Sequence, residues 1–179
     1  MRKITLILAF FSIFSLLLNG QIENNSYVNS SGEKVLRFSF IVPLEKEHAW
    51  EYFTVDEKLA TWISPVVHID LKCGGYMVTN YDKNKSLSDS TSIRLGIPAY
   101  LQDEMLILKV ELNKFFTRKV QEEDTNLQEV IQFESVDPGK TKITSSMIGW
   151  GKGEDWDKTY DFFAKGNEWS YQQLLKIFQ

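Results

Sequence analysis

Residues 155–178 read DWDKTYDFFAKGNEWSYQQLLKIF, and the way this stretch folds decides the architecture. Tyr160, Phe163, Trp169, Leu174 and Ile177 recur at spacings close to three and four, which predicts an amphipathic helix of roughly 20 residues closing the chain. No proline interrupts it. Gly166 does, and a glycine inside a helix costs about 1 kcal/mol relative to alanine, so close approach or room is needed there. Glu154, Asp155 and Asp157 gather where the helix starts, and the helix dipole favours acids in a first turn. The alternative is that one of them lies at a cavity mouth, as a general base or with its neighbours around a cation.

Working back from the helix, the pattern changes to a period of two. Leu127–Val136 and Thr141–Trp150 are alternating runs separated by Asp137-Pro138-Gly139-Lys140, a strong hairpin signal. Ile93–Tyr100 and Met105–Leu112 flank a turn at Gln102-Asp103, and Pro98 makes the first of them an edge strand or a bulged one. Val67, Ile69 and Leu71 alternate with His68, Asp70 and Lys72, then Gly74-Gly75 turns the chain into Met77, Thr79 and Tyr81. The Gly pair carries no phosphate-binding pattern, so the turn serves architecture. Asp82–Ser90 reads as a loop; Lys114–Asn126 is a strand end, a long loop or both.

Further back, Leu36, Phe38, Phe40 and Val42 mark a strand that Pro43 ends. Glu45–Thr54 places Ala49, Trp50 and Phe53 at helical spacing, and Val55–Ile63 offers a second short helix before Pro65. Residues 22–34 are polar without periodicity and read as a loosely held arm. The order is strand, two short helices, an antiparallel meander and a long helix, an α+β arrangement. A curved antiparallel sheet of about six to seven strands, with one long helix across its concave face, is not filled by that helix alone. A cavity follows.

The amino terminus is set aside as a secretory signal peptide. Arg2 and Lys3 precede the uncharged, mostly apolar run Ile4–Leu18, with a plausible cut after Gly20; the alternative is a retained anchor. The domain division is thus 1–20 signal peptide, 21–34 arm and 35–179 one domain, and the compartment expected is periplasmic or extracellular. Removal of residues 1–20 leaves 18 basic against 24 acidic residues, a net charge of −6. An acidic chain without a basic cluster argues against nucleic acid, and no stable membrane insertion is expected after the signal is removed. The single cysteine, Cys73, cannot form an internal disulfide and reads as a small buried hydrophobe.

The strand–helix–helix opening, Trp62 closing the second short helix, the Gly74-Gly75 turn, the strand ending in Gly149-Trp150 and a last helix with Gly166 and Trp169 together resemble the activator-of-heat-shock-ATPase homologues of the SRPBCC or START-like superfamily. The resemblance covers residues 35 to 179. It implies a helix-grip (START/Bet v-like) fold with a hydrophobic pocket between sheet and long helix, in a superfamily whose members bind lipids, hormones or polyketides and include cyclases and dehydratases. Two features depart from the family pattern. An export signal would separate the chain from cytosolic chaperones, and the usual Gly-Trp pair of the last helix is loosened to Gly166-Asn167-Glu168-Trp169.

Catalytic constellations are not legible. His48 and His68 fall on expected surface positions, and no HExxH, CxxC or paired Cys/His spacing calls for a metal or other cofactor. Ser145 and Ser146 lack a G-x-S-x-G setting, and no catalytic residue is assigned. Aromatic residues make up 13% of the chain, and strand parity and helix phase select those expected to face the pocket. They are Phe40, Phe53, Trp62, Met77, Tyr81, Leu108, Phe133, Met147, Phe163 and Trp169, with Thr79 and Ser145 as polar members of the same inward set. Such walls suit a flat or aliphatic molecule with one polar end. Three functions are compatible with this reading. The first is an exported module that holds a small hydrophobic ligand without chemistry. The second is a cyclase- or dehydratase-like enzyme moving a proton with a pocket acid or tyrosine. The third is a protein-partner module, which would show an exposed apolar patch.

Overall fold

The computed structural model describes residues 21–179, and the signal-peptide reading of residues 1–20 lies outside them. The arm supplies two short pieces, β1 (Glu23–Asn24) and β2 (Tyr27–Val28), before the first long strand, β3 (Lys34–Val42). Helices α1 (Lys46–Thr54) and α2 (Asp56–Leu59) follow, then β4 (Val66–Asp70), β5 (Gly75–Asn80), β6 (Ile93–Leu101) and β7 (Met105–Val110). A short helix α3 (Arg118–Glu123) leads to β8 (Gln128–Asp137), β9 (Lys140–Ile148) and the long α4 (Glu154–Lys176). The strands form one nine-stranded sheet in the order β1-β3-β9-β8-β7-β6-β5-β4, with β2 also on β3. Every pairing is antiparallel. This is the expected α+β helix-grip-like fold, an open sheet with short helices and one long C-terminal helix.

Hairpins build the meander and one long-range pairing closes it. Asp137 pairs with Lys140 across Pro138-Gly139, so β8 and β9 are joined by the tight turn their sequence predicts. Then β9 pairs with β3 from Leu36↔Met147 to Val42↔Thr141, bringing the ends of the domain together. The inward residues of β3 (Leu36, Phe38, Phe40 and Val42) are each at most 2% exposed. At one end of the concave face α1 lays Trp50 and Phe53 on Phe133, with ring centroids 5.3 and 5.2 Å apart. Trp62 packs against Phe53 at 5.0 Å.

Several expectations need correction. The arm is not a loose tether: Glu23 pairs with Ser39 and Tyr27 with Val35, and Asn25 Nδ2 donates to Ser39 Oγ at 2.8 Å. It covers what would otherwise be the open edge of β3. Of the two readings of the Pro98 strand the bulged one holds: the strand is interior, and the register between β6 and β7 shifts between Gly96 and Ala99. Residues 114–126 contain α3, whose cap Thr117 accepts from the Val120 amide and whose Val120 is buried. The second helix is one turn long, held to β4 by Asp56, which accepts from the Ile69 amide at 2.8 Å and lies 2.7 Å from His68 Nδ1. Cys73 is exposed rather than buried, because it sits in the β4–β5 turn where strand parity no longer applies.

The last helix runs 23 residues, about 34 Å at 1.5 Å per residue. Its buried residues are Trp156 and Thr159 near the start and Tyr171, Leu174 and Leu175 near the end. The expected phase holds at Tyr160, Phe163 and Leu174 and fails at Trp169 and Ile177. Trp156 and Tyr171 hold the core side, while Trp169 is 51% exposed on a flank and Ile177 is 39% exposed beyond the helix.

The Gly74-Gly75 pair divides its work. Gly74 sits at φ +80°, which favours glycine, and Gly75 has no room for a side chain. A Cβ on Gly75 would lie 2.0 Å from the Asp70 carbonyl oxygen. Gly74→Ala should cost about 1–2 kcal/mol of left-handed strain. Gly75→Ala should cost more, because backbone must move, and urea unfolding of the two variants should give midpoints in that order.

Candidate functional site

From Tyr160 to Ser170 no residue of α4 is buried, although Tyr160, Phe163 and Ala164 rest against the core. The helix spans the concave face between its two buried ends and leaves a cavity of about 260 Å³ beneath it. Of the residues selected by parity and phase, Phe53, Trp62, Met77, Thr79, Tyr81, Leu108, Met147, Phe163 and Trp169 line this space. Strand alternation explains the sheet members: Met77 and Thr79 share one face of β5, Leu108 lies on β7 and Met147 on β9. Tyr81, Phe162 and Trp169 are 52%, 56% and 51% exposed and mark the mouth.

Phe40, Phe133 and Ser145 do not line the cavity, and each has a neighbour that takes its place. Phe40 lies under the Tyr171 ring, centroids 4.9 Å apart, and Phe133 is wedged between Trp50 and Phe53. Ser145 sits behind Glu129 and donates its hydroxyl to Glu129 Oε1. Glu154, Asp155 and Asp157 also lie outside the lining. Asp157 pairs with Lys34 at 2.6 Å and Glu154 with Lys158 at 2.7 Å.

The principal residue not anticipated from sequence is Glu129. It occupies the inward parity of β8 with Ile131 and Phe133, so its side chain enters the cavity. Three donors from two elements converge on one of its oxygens: Ser145 Oγ from β9, and Tyr171 Oη at 2.6 Å and Asn167 Nδ2 at 3.4 Å from α4. Tyr171 and Asn167 stand on the stripe Trp156, Tyr160, Phe163, Asn167, Tyr171 and Leu174, whose spacing of three or four residues is the helix face toward the sheet. An asparagine within that apolar stripe, and a glutamate in inward register on β8, are the signals that could have found the cluster.

Burial pushes the Glu129 carboxyl above its usual range, opposed by the hydrogen bonds from Ser145 and Tyr171. The Tyr171 phenol is raised well above 10, by burial first and then by the adjacent Glu129. Among the described residues no Lys, Arg or His lines the cavity. Among the described residues no group of three or more His, Cys, Asp or Glu is placed to hold a metal ion, and no helix is long and apolar enough to cross a membrane. The arrangement can therefore enclose an apolar body and offer one acidic group at a polar end. A single raised carboxyl can exchange a proton with a ligand, but the lining offers no second group ionising near neutral pH to relay it.

Residues 43–179 match the sequence profile described as activator of Hsp90 ATPase homolog 1-like protein. The chain belongs to this family. Solved structures with the same fold include the Aha1 dimer from Colwellia psychrerythraea, at 12% identity and TM-score 0.59, covering 80% of this chain and 92% of that one. An HSP90 activator from Plasmodium falciparum is similar at 16% identity and TM-score 0.51, over 68% and 77% of the two chains. The Mycobacterium smegmatis protein Ms6760 reaches TM-score 0.62 at 15% identity, over 88% of this chain and 97% of its own. No curated protein matches the sequence. Membership of the activator-like family agrees with the resemblance carried by Trp62, Gly74-Gly75 and the last helix.

The raised carboxyl sets a pH dependence. A carboxyl whose folded value lies above its unfolded value contributes stability that is fully present below the unfolded value, 4.5, and is lost as pH rises through the folded one. Glu129→Gln keeps an acceptor for Ser145 and Tyr171 and removes the charge. Its melting temperature should exceed that of the wild type near pH 7, and the gap should close below about pH 4. Thermal unfolding across that range checks it, and a gap that widens in acid would contradict the assignment.

Proposed function

We propose that the chain is an exported binding module that holds a small, largely apolar molecule between sheet and α4 without changing it. The observation that carries this reading is the 260 Å³ space under a helix buried only toward its two ends. A dry cavity of about 150 Å³ accepts benzene, so by proportion this one suits about ten non-hydrogen atoms. The lining is mainly aliphatic and aromatic, with polar groups gathered at Glu129, which fits a molecule with one polar end. Export rests on Arg2, Lys3 and the apolar run Ile4–Leu18, and the mature protein is expected to begin near Gln21 in a periplasmic or extracellular space.

The family name and two of the structural neighbours favour a second reading, a partner-binding module of the kind that activates a chaperone ATPase. One surface feature supports it. Phe162 and Trp169, seven positions apart on one flank of α4, are both exposed, and Phe115 is 64% exposed on the neighbouring loop. Phe162 and Trp169 together with Tyr81 give the mouth an apolar rim on which a protein could dock, and Phe115 adjoins Phe162 beside it.

Gly166 separates the two readings. It lines the cavity, and a Cβ there would meet nothing within 4 Å. Gly166→Ala should leave the fold intact or raise its stability by up to about 1 kcal/mol. Gly166→Phe should place a ring between Phe162 and Trp169 and close the mouth of the cavity. Native mass spectrometry of wild-type protein from its own host should reveal a co-purified small molecule that Gly166→Phe lacks, with both proteins melting cooperatively. An empty wild type that no apolar compound stabilises would defeat the binding reading and leave the partner reading standing.

A further inference from the structure

The chemistry of the polar end narrows the ligand class, and this step rests on the binding reading above. All three donors to Glu129 among the described residues fall on Oε1. Oε2 has no protein donor among those residues, yet no buried side-chain oxygen is left unsatisfied, so Oε2 opens onto the cavity. Two hydroxyls and an amide on one oxygen are an arrangement for an anion, since each donates and none supplies a positive charge. Among the described residues the lining contains no cation to complete the pair.

We infer that the cavity selects a molecule whose polar end is a protonated amine, with its N–H groups on Glu129 Oε2 and its apolar body along Met77, Leu108 and Phe163. An ammonium supplies the donor and the charge that Oε2 lacks, and Trp62 adds an aromatic wall of the kind that attracts cations. A neutral alcohol supplies the donor alone. A fatty acid brings a second carboxyl to the same place, and the two cannot both be ionised without repulsion.

The other titratable groups facing Glu129 are Tyr171 from α4 and Tyr81 just beyond β5, and both phenols are raised from 10. Ser145 and Met147 of β9 and Leu108 and Val110 of β7 carry no titratable proton in the range considered. Amine binding should therefore follow the ionisation of Glu129 alone, weakening as pH falls through its raised value.

Calorimetric titration of the full mature chain with nonylamine, 1-nonanol and octanoic acid, below their aggregation limits and near neutral pH, tests this directly. The expected order is amine, alcohol, acid, with the amine ahead of the alcohol by about tenfold or more. Glu129→Gln, checked for a cooperative thermal transition, should lose the amine's advantage and keep the alcohol's affinity. Alcohol binding should be flat with pH where amine binding falls. Equal binding of all three probes, tighter binding of the acid, or an amine preference that survives in Glu129→Gln would overturn the amine assignment and leave a cavity that binds apolar molecules. Failure of all three to bind either protein would overturn both.

Discussion

The rest of the structure depends on how α4 is fastened. Its C-terminal part buries Tyr171, Leu174 and Leu175, and the Tyr171 ring lies 4.9 Å from Phe40 and 6.2 Å from Trp62. Its N-terminal part buries Trp156, whose indole nitrogen donates to Glu123 of α3 at 2.8 Å. Each large apolar side chain so buried stabilises the packed arrangement by about 1.5–3 kcal/mol. Between these two fastened parts the helix buries no side chain fully. From Tyr160 to Ser170 only Tyr160, Phe163 and Ala164 rest against the core, and the cavity lies between this stretch and the sheet.

Glu129 is the unusual member of that arrangement. Taking a carboxylate out of water costs several kcal/mol even after relaxation, whereas each hydrogen bond to a charged group returns about 1.5–3 kcal/mol. The donors from Ser145, Tyr171 and Asn167 offset much of the cost without abolishing it, in agreement with a carboxyl that is raised but still opposed. Those same bonds tie β8 and β9 to α4. The group that makes the cavity polar at one end also helps to hold the helix that roofs it, so cavity polarity and helix attachment meet in one carboxyl group.

Most of the sheet was legible because its strands carry one apolar face and its turns carry their own signals, as at Pro138-Gly139 and Gly74-Gly75. Inward parity also placed Met77, Thr79, Leu108 and Met147 on the cavity wall. What parity could not do was separate a residue facing the cavity from one facing another side chain. Phe40 and Phe133 have the right phase, but Tyr171 and the α1 aromatics cover them. Glu129 escaped for the opposite reason. An acid at an inward position reads as exposed unless its donors are known, and those donors come from residues 16, 38 and 42 positions away. On α4 the apolar spacing locates Tyr160, Phe163 and Leu174 on the sheet side, whereas Trp169, equally large and apolar, is half exposed at the mouth.

The structural neighbours reported above share this architecture at 12–16% identity, a level at which fold persists while most side chains differ. What a common fold transmits is the geometry that produces a gap: a curved sheet, a closing helix and anchors at the helix ends. The chemistry inside the gap belongs to the individual chain, because a carboxylate, a hydroxyl and an amide meeting at one point depend on single residues rather than on topology. For this chain the informative residues are therefore the ones topology does not require. A hydrophobic residue at position 129 would spare the sheet the desolvation of a carboxyl, at the loss of the bonds that tie β8 and β9 to α4. Its presence, with Ser145, Asn167 and Tyr171 around it, gives the cavity of this chain its acidic group.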